Sequence, residues 1–268
     1  MYQFPFGSVV RRVEQADRTP QQVFVLGVYA SAVHATWCIG NRTVIRALAV
    51  ASEPSIFWRG ENADEIVSRI KLPDGLGTLQ AAHAVNGPSG KALDQLFLRP
   101  LGLLDGDGEL PRRRAWLCDL LPESRLNDSQ YKAIHRKGSY QHYVSDGQVD
   151  PVTLPTVPSP YADDQRLAAI ADELAESKAS VLITLGEPVV EEFLHRYLGM
   201  QERKLGDFGR TDDVYGRIHR VAFRHRDLSV IPLTHPRQAG GLGSSSMVWK
   251  LRHAHWMKHV APSLLAAV

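Results

Sequence analysis

"LSVIPLTHPRQAGGLG", residues 228–243, is the stretch whose reading decides the fold. An apolar run of β-forming residues ends at His235-Pro236, passes through Arg237, Gln238 and three glycines, and meets the serines that open a helix. A strand that stops this way leaves His235 at the sheet edge from which the chain departs. Working outward, "QQVFVLGVYA" (21–30), "RAWLCDLLP" (114–122) and "SVLITLG" (180–186) are also short apolar runs closed by Gly or Pro, and read as buried strands. Between them lie segments with helical spacing: "ENADEIVSRIKL" (61–72), "SGKALDQLFLRPLGL" (89–103), "NDSQYKAIHRK" (127–137), "YADDQRLAAIADELAESK" (161–178) and "EPVVEEFLHRYLG" (187–199). "HATWCIG" and "TVIRALAVAS", split by "GNR", look like a hairpin, and "SDGQVDPVTLPTVPSP" is a proline-rich connection. Helices alternating with apolar strands predict an α/β fold: three layers, α/β/α, around a central, mostly parallel sheet. In such sheets ligands bind outside the carboxyl ends of the strands. The turns "GVYAS", "CDLLPESR", "LGEP" and "THPRQ" are therefore expected to share one edge.

Composition narrows the choice. The 268 residues carry 31 Lys and Arg against 29 Asp and Glu, a net charge of +2, with 44% hydrophobic residues, all ordinary for a globular chain. No composition break marks a second domain, so residues 1–268 are expected to form a single one. No apolar run reaches membrane-spanning length, and "MYQFPFGSVVRR" lacks the pattern of a signal peptide. Two cysteines, Cys38 and Cys118, are too few for a disulfide framework or a four-thiolate cluster. Both read as buried thiols, and a cytoplasmic location fits. From residue 201 onward, Lys and Arg outnumber Asp and Glu by eleven to five. That excess is either a solvated basic face or a phosphate-binding surface.

In their order, these segments resemble the uracil-DNA glycosylase superfamily. "VLGVYAS" stands where that family carries its first motif. "NGPSGKALDQLFLRPLGL" is similar to the Gly-x-(Ala/Ser)-Gly-x-x-Leu-Asp helix of its thermostable bacterial members. "AWLCDLLPESR", "VLITLGEPVVEEFL" and "VIPLTHPRQ" resemble three further motifs, and the likeness covers residues 20 to 258. It implies DNA as partner, no membrane, a monomer, no cofactor and, with two cysteines, no iron–sulfur cluster. The departures are specific. Tyr29 stands where the most active members have a water-orienting Asp, and Ala30 stands in the Pro position. Val85 or Asn86 falls where a uracil-stacking aromatic belongs, so Phe57 or Trp58 is left to supply that ring. Asp119 replaces the uracil-reading Asn.

The resemblance implies that His235 donates a hydrogen bond to the pyrimidine O2, where negative charge develops as the base leaves; otherwise it is a structural cap. An ionised Asp119 only accepts hydrogen bonds, which suits the amino group and protonated N3 of cytosine rather than a uracil edge. The alternative is that Asp119 faces an Arg such as Arg125. Gly27, Val28, Ala30, Ser31, Phe57, Val85 and Asn86 are expected to line the base pocket, with Tyr29, Ser31, the backbone amides of "GVYAS", or His34 in a helical first turn, beside the water. Glu53 is a carboxylate at a strand end that no motif accounts for. Ser89, Gly90, Arg237, Gln238, Ser244 and Ser245 are candidate phosphate contacts, and Leu242 either wedges into the base stack or covers a core gap.

The implied activity is that of a monofunctional DNA glycosylase, which flips out and excises a modified, cytosine-derived pyrimidine and leaves an abasic site. A hydroxymethylated or glucosylated base, and hence a role in defence against phage, fits best because excising ordinary cytosine would destroy the host genome. The alternatives are a uracil-DNA glycosylase acting in repair and a catalytically silent DNA-binding relative. A nucleotide-processing enzyme lacks the expected Gly-rich phosphate fingerprint.

Overall fold

The computed structural model describes residues 1–104, 114–242 and 246–267. Along the chain run β1 (Val23–Tyr29), β2 (Ala32–Ile39), β3 (Arg42–Ser52), α1 (Ala63–Ser68), β4 (Thr78–Ala81), α2 (Pro88–Leu93, continued by a π-helical turn over Asp94–Leu98) and β5 (Ala115–Leu121). There follow α3 (Asp128–His135), α4 (Tyr140–Ser145), α5 (Asp164–Glu176), β6 (Val181–Leu185) and α6 (Glu187–Val189, continued over Val190–Tyr197). The chain then forms β7 (His219–Phe223), β8 (Arg226–Leu233), α7 (Pro236–Ala239), α8 (Ser246–His259) and α9 (Ala261–Leu264). Contacts divide these elements into two compact units, each assembled from separate stretches of chain.

One unit, Glu14–Val28, Ser89–Leu121 and Ser159–Val268, holds a five-stranded sheet of order β5-β1-β6-β8-β7. β1, β6 and β8 run parallel, and β7 pairs antiparallel with β8 at the edge. β1 and β6 are buried along nearly their whole length, which is why they read as unbroken apolar runs rather than alternating ones. Helices flank this sheet. α5 starts where the Asp163 carboxylate accepts the Arg166 N–H at 2.7 Å. It buries Leu167, Ile170, Ala171 and Leu174, a stripe at helical spacing. The sequence expectation of an α/β fold with a mostly parallel sheet holds for this unit.

The other unit, Met1–Val13, Tyr29–Pro88 and Pro122–Pro158, departs from it. The expected hairpin is present, β2 antiparallel to β3, but its strands do not join the parallel sheet. They form a separate antiparallel sheet, β3-β2-β4, whose third strand the sequence did not reveal because Thr78–Ala81 has little apolar pattern. Trp37 is at the centre of this unit's core. Its ring meets Phe6, Tyr140 and Tyr143 edge-on, and its Nε1–H donates to the Leu76 carbonyl at 2.7 Å. His34 lies within β2, not in a helical turn. Cys118 is buried as expected, whereas Cys38 is only half-buried beside Thr43.

Ile183, fully buried in the middle of β6, tests the parallel sheet. Ile183→Ala is expected to lower stability by about 2–5 kcal/mol and Ile183→Val by about 0.5–1.5 kcal/mol, read by urea unfolding. Equal small losses would mean that this strand is not the packed centre of its unit.

Candidate functional site

Parallel pairing puts the carboxyl ends of β6 and β8 side by side. Leu185 pairs with Leu233, and the Gly186 N–H extends the ladder to the Leu233 carbonyl at 2.8 Å. Gly186 takes φ +97°, and a Cβ there would lie 3.3 Å from the His235 Cβ. The glycine of "LGEP" thus lets the chain turn while the His235 backbone passes close beside it. Behind His235, Thr234 is fixed from two sides. Its N–H donates to Tyr215 Oη at 3.0 Å, and its hydroxyl donates to Gln238 Oε1 at 2.8 Å. The Tyr215 hydroxyl donates in turn to His253 Nδ1 at 2.9 Å, and His253 donates from Nε2 to the Leu96 carbonyl at 2.9 Å. Tyr215 and His253 are buried, and burial holds the His253 imidazole neutral, its pKa down at about 4.

His235 itself is half-buried and has two distinct nitrogens. Nδ1 accepts the Arg237 N–H at 3.2 Å, so the ring caps α7. Burial, and then the Arg237 charge, lower its pKa from 6.5 to about 4. At neutral pH the imidazole is therefore uncharged with its proton on Nε2. That N–H has no protein acceptor among the described residues. The cap uses one ring nitrogen and leaves the other uncommitted among the described residues.

Asp119 sits on β5, beyond β1 and β6 from β8. Three strand spacings set β5 and β8 about 14 Å apart. The Asp119 side chain is buried and makes no hydrogen bond or ion pair with any described residue. The expected alternative, Arg125, is not its partner; Arg125 lies against Glu123 and the Tyr2 ring. Arg166 of α5 is the cation nearest in effect, yet its donors go to the Asp119 carbonyl (2.6 Å), the Leu120 carbonyl (3.1 Å), Cys118 Sγ (3.2 Å) and Glu173 Oε1 (3.1 Å). Desolvation outweighs Arg166 and raises the Asp119 pKa from 3.8 to about 7. Burial thus favours the protonated carboxyl over the ionised, accept-only form considered from the sequence. Gly27 and Val28 belong to β1, the strand between β5 and β6.

In the other unit, residues read from three separate motifs meet. The Asn86 amide accepts the His34 N–H at 2.8 Å and donates to the His34 carbonyl at 2.9 Å, acting as a strand partner for β2 rather than presenting its amide to a ligand. The "NGP" turn packs backbone-to-backbone on "FWRG". Gly87 has φ +77°, and a Cβ there would fall 1.9 Å from the Arg59 carbonyl carbon, so only glycine fits. Phe57 and Trp58 are both buried, Phe57 with φ +49°, and neither is an open stacking platform; Val85 is half-buried. Glu53, the carboxylate that no motif explained, is buried at the end of β3 and accepts the Ser31 N–H at 3.0 Å. That contact sets a carboxylate against the Tyr29-Ala30-Ser31 turn. Only a fold pairing β2 with β3 could reveal it, since 22 positions separate the two.

Of the expected phosphate contacts, Arg237 is exposed, Gln238 is half-buried and bonded to Thr234, Ser89 is half-buried within α2, and Gly90 is buried. Ser244 and Ser245 lie outside the described residues. Leu242 is exposed, as are Met247, Val248 and Leu251 on the following helix. Among the described residues no group of three or more His, Cys, Asp or Glu is arranged to hold a metal ion, and no helix is long and apolar enough to cross a membrane. No protein-family model matches the chain, and no curated protein is significantly similar to it.

The Asp119 environment has a measurable signature. With a pKa raised from 3.8 to about 7, the folded chain keeps a proton that the unfolded chain releases. This group's contribution to stability is thus complete below 3.8 and is lost as pH rises through about 7. Asp119→Asn should gain stability relative to the parent as pH rises from about 5 to 8, followed by urea unfolding at each pH. A difference that stays constant with pH would show the carboxyl to be ionised throughout.

Proposed function

We propose that this chain is a monomeric, monofunctional DNA glycosylase with the three-layer architecture of the uracil-DNA glycosylase superfamily, excising a flipped, cytosine-derived base. The observation that carries this reading is the uncharged imidazole of His235, at the carboxyl edge of the parallel strands, with its Nε2–H uncommitted. Breaking an N-glycosidic bond places negative charge on the departing pyrimidine, chiefly at O2, and cationic character on the sugar. A fixed N–H donor aimed at O2 stabilises that charge without itself losing a proton. Holding Thr234 from behind keeps the donor from reorganising during the step, which is where such a group has its largest effect. Across the sheet, Asp119 is the polar group able to read the opposite edge of the base. The exposed Arg237 and Leu242 beside His235 suit a phosphate and a gap in the base stack.

A second reading, excision of uracil, is favoured by one specific observation. A protonated Asp119 offers one donor and one acceptor, the same pair an Asn offers, and so matches uracil N3–H and O4 as well as cytosine N3 and N4.

The test uses duplexes containing uracil, cytosine, 5-hydroxymethylcytosine or its glucosylated form, followed by alkaline cleavage of abasic sites. The expected outcome is strand cleavage at the modified cytosines. His235→Ala should slow it about 10²–10³-fold while leaving salt-sensitive DNA binding near the parent level. Cleavage at uracil alone selects the second reading. Binding without cleavage of any duplex overturns both.

A further inference from the structure

We propose that Asp119 is the general acid of this reaction: it holds a proton in the free enzyme and delivers it to N3 of a cytosine-type base as the glycosidic bond breaks. This rests on the glycosylase reading above and specifies its substrate class.

The geometry that carries it is a carboxyl without a partner. Asp119 is 3% exposed on a strand whose every residue is buried. The groups acting on it from its surroundings are few. From its own strand comes Cys118, a buried thiol held neutral by desolvation. From α5 comes Arg166, with Glu173 beside it, and Glu14 acts on Arg166 from the segment before β1. Arg166 directs its nitrogens to two main-chain carbonyls, to Cys118 and to Glu173, and makes no contact with the carboxylate. Its charge is balanced by Glu173 at 3.1 Å. With no donor or ion-pair partner on its oxygens among the described residues, the buried carboxyl is pushed toward its protonated form. Desolvation raises this carboxyl well above the usual carboxylate range, in keeping with this geometry.

What that proton does depends on the base. Cytosine and its 5-substituted forms have an unprotonated N3, able to take a proton. Uracil already carries hydrogen at N3, so no transfer to that atom is open to it. In the step proposed, the Asp119 O–H bond breaks and an N3–H bond forms. The electron pair of the C1′–N1 bond moves onto the base, which leaves as a neutral molecule rather than an anion. Water adds to the cationic C1′ and loses its proton to solvent, and Asp119 regains one from solvent before the next turnover. His235 meanwhile donates to O2 without transferring its proton. The two groups divide the work: His235 stabilises charge at O2, and Asp119 removes it at N3. A pocket with only accept-only carboxylate chemistry would offer a cytosine-type base no such exit.

The discriminating experiment is the pH dependence of single-turnover excision from a duplex bearing 5-hydroxymethylcytosine, with a uracil duplex in parallel and folding monitored by circular dichroism at each pH. Excision of the cytosine-type base is expected to hold steady in mild acid and to fall about tenfold per pH unit above the Asp119 pKa, near 7. Asp119→Asn, which can bond but has no acidic proton, should lose the cytosine-type activity and its pH profile together while keeping DNA affinity. Excision of the cytosine-type base at a rate independent of pH, or rising with pH, overturns the acid role and leaves the glycosylase reading intact. No excision of any base at any pH overturns the glycosylase reading, and the acid role with it. Should Asp119→Asn fail to fold, carbon-13 NMR titration of the Asp119 carboxyl in the full chain decides: ionisation complete by about pH 5 overturns the proposal.

Discussion

The interaction on which the site depends is the parallel pairing of β6 with β8. It carries Gly186 and His235 off the same edge in neighbouring turns, close enough that a methyl group on the glycine would press on His235. Backbone hydrogen bonding alone would leave the imidazole free to swing. The buried chain Thr234–Tyr215–His253–Leu96 removes that freedom from behind, and the Nδ1 contact with Arg237 removes it from the side. What remains is one ring nitrogen in a defined tautomer. Such a nitrogen is useful as an electrostatic donor because its orientation is settled before any ligand arrives.

Burial sets the electrostatics of this unit. Most buried charges here are satisfied: Glu192 accepts the N–H groups of Tyr161 and Ala162, and Arg166 is ringed by carbonyls and Glu173. At Asp119 and His235 desolvation instead favours the uncharged form, raising the carboxyl to about 7 and lowering the imidazole to about 4. A buried polar group kept without a partner costs stability and is tolerated where it serves a ligand.

Much of the parallel unit was legible from its residues because strands buried on both faces must be apolar throughout. "VFVLGV", "AWLCDLL" and "VLITL" could hardly be anything else. His235-Pro236 and Gly186 were legible because proline and glycine end strands for local steric reasons. The antiparallel unit was legible only as a hairpin. β4 lacks a pattern, and whether β2 and β3 join the main sheet depends on which edges are free, a question no local rule answers. Asn86 and Glu53 drew attention as polar residues near motifs, but their partners, His34 and Ser31, lie 52 and 22 positions away.

The sequence by itself therefore determined the strands of the parallel sheet, where those strands end, and that an imidazole stands at one of those ends, since all of these follow from short-range sterics and from the period of apolar residues. The tertiary structure alone decided the protonation of Asp119 and His235, the assignment of Arg166 to the β5 carbonyls, and the pairing of Glu53 with the first turn. Each of these is the free energy of a polar group in the surroundings that distant segments create, and the identity of a residue says nothing of those surroundings until the chain has folded around it.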